Sequence, residues 1–172
     1  MDVLSAIRER RSIRSYADSP VEPEKLEKVL EAARLAPSAS NRQNWKFVVV
    51  QDKATIARLV EACNGQAFVG QAPVFIAACA TSPGSVMSCG QPRDTVDLSI
   101  ATAYLILEAY EQGLGTCWLG SFNEAKVKQL LGIPDPVRVV AVTPLGYATV
   151  RPKPTTRKTL EQIICFETYQ AD

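Results

Sequence analysis

Asp94-Thr-Val-Asp-Leu-Ser-Ile-Ala-Thr-Ala-Tyr-Leu-Ile-Leu-Glu-Ala-Tyr-Glu-Gln112 is the stretch around which the rest of the chain has to be arranged. Its spacing predicts a helix, and Leu98, Ala101, Tyr104, Leu105, Leu107 and Ala109 carry apolar surface around most of the circumference. Such a helix must be buried on more than one side, either at the centre of a domain or against a second subunit. Toward the C-terminus, Gly113-Leu114-Gly115 stops it and leads into a short strand, Thr116 to Leu119, which Gly120 turns into a polar helix over Glu124 to Leu131. Arg138 to Gly146 reads as a strong strand. A proline-rich arm, Arg151-Pro-Lys-Pro154, follows and ends in a short helix over Lys158 to Cys165.

Toward the N-terminus the patterns alternate. Ser82 to Pro92 is a loop rich in Pro, Gly and Ser, and Pro73 to Ala80 is a continuous apolar strand. Lys53 to Cys63 is helical by its Ile56, Leu59, Val60 spacing, and Lys46 to Gln51 is a buried strand. Pro23 to Ala36 is a helix with Leu26, Val29, Leu30 and Ala33 on one face, opened by Pro23 and ended by Pro37. Helices mixed with a few buried strands give an α+β or α/β sandwich. An extended arm would be loose on a monomer, which favours an arm that wraps a neighbouring subunit.

The 172 residues are 47% hydrophobic, enough for one domain with a sizeable core over residues 1–172. No apolar run approaches the ~20 residues of a membrane helix, and the N-terminus has no secretory pattern, so the expected location is cytoplasmic. The five cysteines are odd in number and contain no C-x-x-C pair, the pattern of reduced, buried thiols. With no histidine in the chain, zinc and haem sites of ordinary type and triad hydrolases are disfavoured. Both tryptophans, Trp45 and Trp118, are expected in the core.

Charge is balanced overall, 19 basic residues against 18 acidic, yet Arg8, Arg10, Arg11 and Arg14 fall within seven positions. A polyanion binder spreads its cations over a face, so this local excess points to a small anion rather than to nucleic acid or a membrane. Guanidinium forks match phosphate oxygens, and Ser12 adds a hydroxyl. The other reading is a solvated helix end: Asp2 caps a short helix through Leu4 and Ile7, and arginines at its C-terminus suit the dipole.

Three segments, Arg10-Arg11-Ser12-Ile13-Arg14, Ala36-Pro-Ser-Ala-Ser-Asn-Arg-Gln-Asn-Trp45 and Gly113-Leu-Gly-Thr-Cys-Trp-Leu-Gly120, stand in this order with the Gly146-Tyr147 turn and Arg157-Lys158-x-Leu160-Glu161 after them. Together they resemble the nitroreductase family of FMN-dependent oxidoreductases, especially its shortest members. The resemblance implies a three-layer α/β/α sandwich with a mixed, largely antiparallel central sheet. It implies an intertwined homodimer with FMN at the subunit interface and the arm 147–172 wrapping the partner. By resemblance, Arg10, Arg11, Ser12, Arg14 and Arg157 would hold the FMN phosphate, and Pro37, Ser38, Ser40, Asn41 and Gln43 would line the cofactor, some from the partner. The backbone of Leu119 and Gly120 would reach the ring and donate a hydrogen bond near N5, so that the flavin rather than any side chain is the reactive centre. On its own, the Pro37 to Gln43 loop also reads as a polar turn satisfying local backbone groups. Asn44 departs from the proline common at that place in the family.

The implied activity is hydride transfer from NADH or NADPH, by a ping-pong route, to a small-molecule acceptor such as a nitroaromatic, quinone or enone. One alternative, an FMN store or sensor without turnover, shares every phosphate-site residue, and another within the enzyme class is a flavin-modifying or dehalogenating relative on the same fold. A nucleic-acid-binding domain built on the arginine cluster is a further alternative.

Overall fold

Val74–Ala80 (β2) is buried along its whole length, and a strand that is apolar on both faces belongs in the interior of a sheet. The computed structural model describes residues 2–170 and places β2 between Trp45–Val50 (β1) and Arg138–Gly146 (β4). Gly115–Thr116 (β3) closes the order β1-β2-β4-β3. Every pair of strands is antiparallel. The expected mixed sheet therefore reduces, among the described residues, to one parallel bridge between Ser12 and Thr116.

Helices cover both faces, giving three layers. Lys53–Ala62 (α3) and Glu124–Leu131 (α5) bring Ile56, Leu59 and Val127 onto Phe75, Ala77 and Cys79 of β2. Pro23–Arg34 (α2) and Arg93–Glu111 (α4) bring Val29, Ala33, Leu105 and Ala109 onto Val74 and Ile76. The alternation along β2 thus divides two cores, and truncating the fully buried Phe75 to Ala would cost about 3–5 kcal/mol. A bulge opposite Ala78 and Cys79 sets Val140 against Leu98 of α4.

Local signals fix the ends. Asp52 accepts from Thr55 N–H at 2.8 Å, Asn123 accepts from Lys126 N–H at 3.0 Å, and Gly132 takes the left-handed conformation after α5. Asp2 caps Val3–Glu9 (α1) in the same way, so the arginine cluster does begin at a helix end. The strand expected over Thr116 to Leu119 is interrupted: β3 stops at Thr116, and the chain rejoins β4 only through the Leu119–Val142 bridge.

The helix expected over Lys158 to Cys165 is a correction. Only a turn forms there, with Ile163 and Ile164 N–H donating to the Leu160 carbonyl. So short a segment is marginal as a helix without a surface to pack on, and here Leu160, Ile163, Phe166 and Tyr169 are all exposed. The last two residues of the expected arm lie outside the described residues. No helix among the described residues is long and apolar enough to cross a membrane.

Candidate functional site

The first and third segments meet at the β3 edge. α1 ends at Glu9, Arg10 N–H donates to the Ala6 carbonyl at 3.0 Å, and the chain then runs alongside β3, with Ile13 N–H donating to the Thr116 carbonyl at 2.8 Å. Gly115 permits this approach, because a Cβ there would stand 2.5 Å from Ile13 Cγ1. Beneath lies the buried Cys117 thiol: burial raises its pKa, while Arg14, the Ser12 hydroxyl and Arg10 act in the opposite direction. All three groups thus act on the same thiol. Neither Arg10 nor Arg14 has an ion-pair partner among the described residues.

Arg11 does not join them. Its guanidinium donates through one nitrogen to the carbonyls of Arg8 at 2.7 Å and Arg10 at 2.8 Å, capping the end of α1, while its Nε is buried without a partner among the described residues. The Leu119 N–H donates to the Val142 carbonyl at 2.9 Å. Gly120 N–H makes no hydrogen bond among the described residues. No heavy atom lies within 4 Å of where a Gly120 Cβ would stand, and its φ is not left-handed. Neither packing nor backbone strain requires a glycine there.

The second segment forms a strained turn. Ser40, Asn41 and Gln43 have φ of 56°, 51° and 52°, each costing on the order of 1 kcal/mol for a residue with a side chain. Two anchors oppose that cost. Ser38 Oγ accepts from Gln43 N–H at 3.0 Å inside the loop, and the buried Asp97 carboxylate of α4 accepts from Ala39 N–H at 3.1 Å. Gln43 Nε2 donates to the Asn41 carbonyl and side-chain oxygens, while Pro37, Ser40, Asn41 and Gln43 are exposed. The Asn44 carbonyl accepts from Thr81 N–H at 3.0 Å, which joins the end of the loop to the residue after β2.

Within one chain the two halves stand apart. Trp45 pairs with Ala80, which pairs with Arg138 at the start of β4, whereas Thr116 pairs with Leu145 near its end. By strand spacing and rise the two half-sites are roughly 25 Å from each other, on opposite edges of the sheet. α4 spans the gap: Asp97 holds the loop at one end, and Tyr110 OH donates to Glu9 at the other, at 2.7 Å. Between them Tyr104 is 44% exposed and, with Val3, Ile7 and Leu107, lines an apolar groove of about 540 Å³. Arg157 is not brought to Arg10; it lies on the exposed arm and donates to Thr155 and Thr156.

Several residues escaped the sequence reading. Gln66 Nε2 donates to the carbonyls of Cys63 and Ser121, and Asn64 donates to Ser121 Oγ, so the loop after α3 braces the turn after Gly120. No periodicity marks those amides, and only the packing of α3 against α5 brings them there. Trp118 is 38% exposed and not a core residue, and Cys89 and Cys165 are exposed while the other three cysteines are buried.

Fold and site together define an α+β sandwich whose β3 edge offers unpaired cations beside an open glycine turn. The Nitroreductase family model matches residues 7–82 and 63–147. An NADH dehydrogenase of Thermus thermophilus is 32% identical over 95% of both chains. An FMN reductase [NAD(P)H] of Bacillus subtilis is 30% identical over 98% of this chain and 74% of its own. Among solved structures, an FMN-dependent nitroreductase from Clostridium difficile matches with a TM-score of 0.82 and 30% identity, over 96% of this chain and 99% of the other. The chain belongs to the nitroreductase family and is an oxidoreductase of that family.

Proposed function

We propose that two copies of the chain enclose two identical FMN sites and transfer hydride from NADH or NADPH to a small acceptor such as a nitroaromatic, quinone or enone. The observation that carries this reading is the donor set at the β3 edge: Arg10 and Arg14 without ion-pair partners among the described residues, the Ser12 hydroxyl in the same segment, and a Gly120 N–H that makes no hydrogen bond there, with open space where its Cβ would stand. A phosphate dianion suits the first three, each charge pair being worth roughly 4 kcal/mol at 4 Å and an effective dielectric of 20, before desolvation. A flat ring suits the last, where a Cβ would intrude.

The second copy follows from the separation of the half-sites. They lie at the two ends of α4, and an isologous pairing about its exposed middle, near Tyr104 and Leu107, sets each end of one helix beside the opposite end of the other. Each arginine half-site then meets the partner copy's Pro37–Gln43 loop. The exposed arm, with its uncovered Leu160, Ile163 and Phe166, supports the same arrangement and carries Arg157 toward the partner.

Bound FMN supplies the hydride chemistry. Arg10, Arg14 and Ser12 hold its phosphate end. Gly120, kept in place by the Leu119–Val142 bridge, directs one backbone donor at the ring. The loop contributes the Ser40 hydroxyl, Asn41 Nδ2 and Gln43 Oε1, which are not spent on the loop itself, and the O–H of Ser38, whose oxygen already accepts from Gln43 N–H.

The absorption spectrum of the purified protein, followed by chromatography of the released chromophore and anaerobic mixing with NADH, tests the reading. FMN that bleaches on mixing is expected. A colourless protein that takes up no FMN refutes it, and a yellow protein that NADH leaves unbleached favours a store or sensor.

A further inference from the structure

We propose that Asp97 is a positioning residue whose carboxylate holds the Pro37–Gln43 loop in the backbone conformation that presents it to FMN; its functional consequence rests on the FMN reading above. Asp97 is 6% exposed and is the one charged side chain buried among the described residues. Its helix neighbours Leu98 and Ala101 show that an apolar residue would serve the packing there, and a buried carboxylate is costly unless it is bonded. The bond it makes crosses 58 positions of sequence to Ala39 N–H, at 3.1 Å. Ala39 opens the 3₁₀ turn Ala39–Asn41, and the left-handed residues Ser40, Asn41 and Gln43 follow it directly.

Of the two anchors on this turn, the Ser38 hydroxyl belongs to the loop and moves with it. Asp97 belongs to α4, which is packed on the sheet, so it ties the start of the loop to a rigid element, as Trp45 N–H of β1 ties its end at the Gln43 carbonyl. Released from it, Ser40, Asn41 and Gln43 would relax toward negative φ and turn their side chains away from one another. The signature is loss of cofactor affinity with the fold intact.

Asp97→Leu removes the acceptor and keeps the branched shape, and Asp97→Asn keeps an acceptor oxygen. Ala39→Pro removes the donor without touching the core, at a place where Ser38, with φ −139° and ψ 155°, already has the backbone a following proline requires. Thr102→Val, at an equally buried site further along α4, is the control. FMN titration and amide exchange of Ala39 in the apoprotein are the readouts. Asp97→Leu and Ala39→Pro should raise the FMN Kd roughly 10–100-fold, Asp97→Asn less than about 5-fold and Thr102→Val not at all, with Ala39 exchanging at least about 10-fold faster in Asp97→Leu. Unchanged Kd and exchange in Asp97→Leu overturn the proposal, as does an equal loss in Asp97→Leu and Thr102→Val. If Asp97→Leu does not fold, Ala39→Pro decides alone: a wild-type Kd overturns the anchor. Should the wild type bind no FMN, the FMN reading fails, and the exchange rate of Ala39 still judges the anchor.

Discussion

Gly115 and Gly120 stand five residues apart on one edge of the molecule and should respond to the same methyl group in opposite ways. At Gly115 a Cβ would lie 2.5 Å from Ile13 Cγ1 and 2.9 Å from Ile13 Cβ, so the Ile13 backbone has to yield. Overpacking of this kind costs about 1–3 kcal/mol. Displacing Ile13 also weakens its 2.8 Å hydrogen bond to the Thr116 carbonyl, a further ~0.5–1.5 kcal/mol. Gly115→Ala should therefore lose about 2–4 kcal/mol, and with a slope near ~2 kcal/mol/M its urea midpoint should fall by about 1–2 M. At Gly120 the added methyl meets nothing within 4 Å and the φ is ordinary, so Gly120→Ala should leave the apoprotein as stable as wild type or ~0.4–1 kcal/mol more stable. Its cost should appear only when FMN is titrated in, as a Kd raised about 10-fold or more by a methyl in the ring's space. Both variants are compared as apoproteins at one protein concentration, because the proposed dimer would contribute to stability. Wild-type FMN affinity in Gly120→Ala would refute the assignment of that space to the cofactor, and an unaltered midpoint in Gly115→Ala would refute the close approach at β3.

Arg10→Ala should weaken FMN binding by about 1.5–3 kcal/mol, Arg8→Ala should do little, and Arg11→Ala should lower stability by ~1 kcal/mol while sparing affinity; titration and urea unfolding separate the three. Mixed and reassociated Arg10→Ala and Asn41→Ala chains should regain tight FMN binding at about one site in four, because half of the dimers then pair an intact arginine cluster with an intact partner loop. Recovery of no tight sites would mean that both halves serve the same site in cis. Stability should also fall on the alkaline side. Burial pushes the Cys63 and Cys79 thiols from 9.0 up to about 11, so the unfolded chain releases these protons first, and their contribution, full below about pH 9, is lost as the pH rises toward 11. Cys63→Ala/Cys79→Ala should be less stable at pH 7 because of the cavities but flatter between pH 9 and 11, as measured by urea unfolding at each pH. An equally steep fall in that variant would assign the alkaline loss to other groups.

Where a signal is local, the sequence determined the result. α5 and β4 lie where an asparagine cap, a glycine stop and a run of β-branched residues put them, and β2 is interior because nothing polar interrupts it. The arginine cluster, the small-residue turn around Gly115 and the polar loop after Pro37 were legible as segments for the same reason: residue type and spacing carry their chemistry. Tertiary structure alone decided where each of these side chains and N–H groups goes. Arg11 turned to the end of α1, Leu119 gave its N–H to Val142, and Lys158 to Cys165 stayed unhelical for want of a surface. Asp97 looked like any acidic residue near a helix start until it met Ala39. Each of these outcomes depends on a donor, acceptor or packing surface dozens of positions away, and such a partner is defined by the folded path of the chain rather than by its neighbours in sequence.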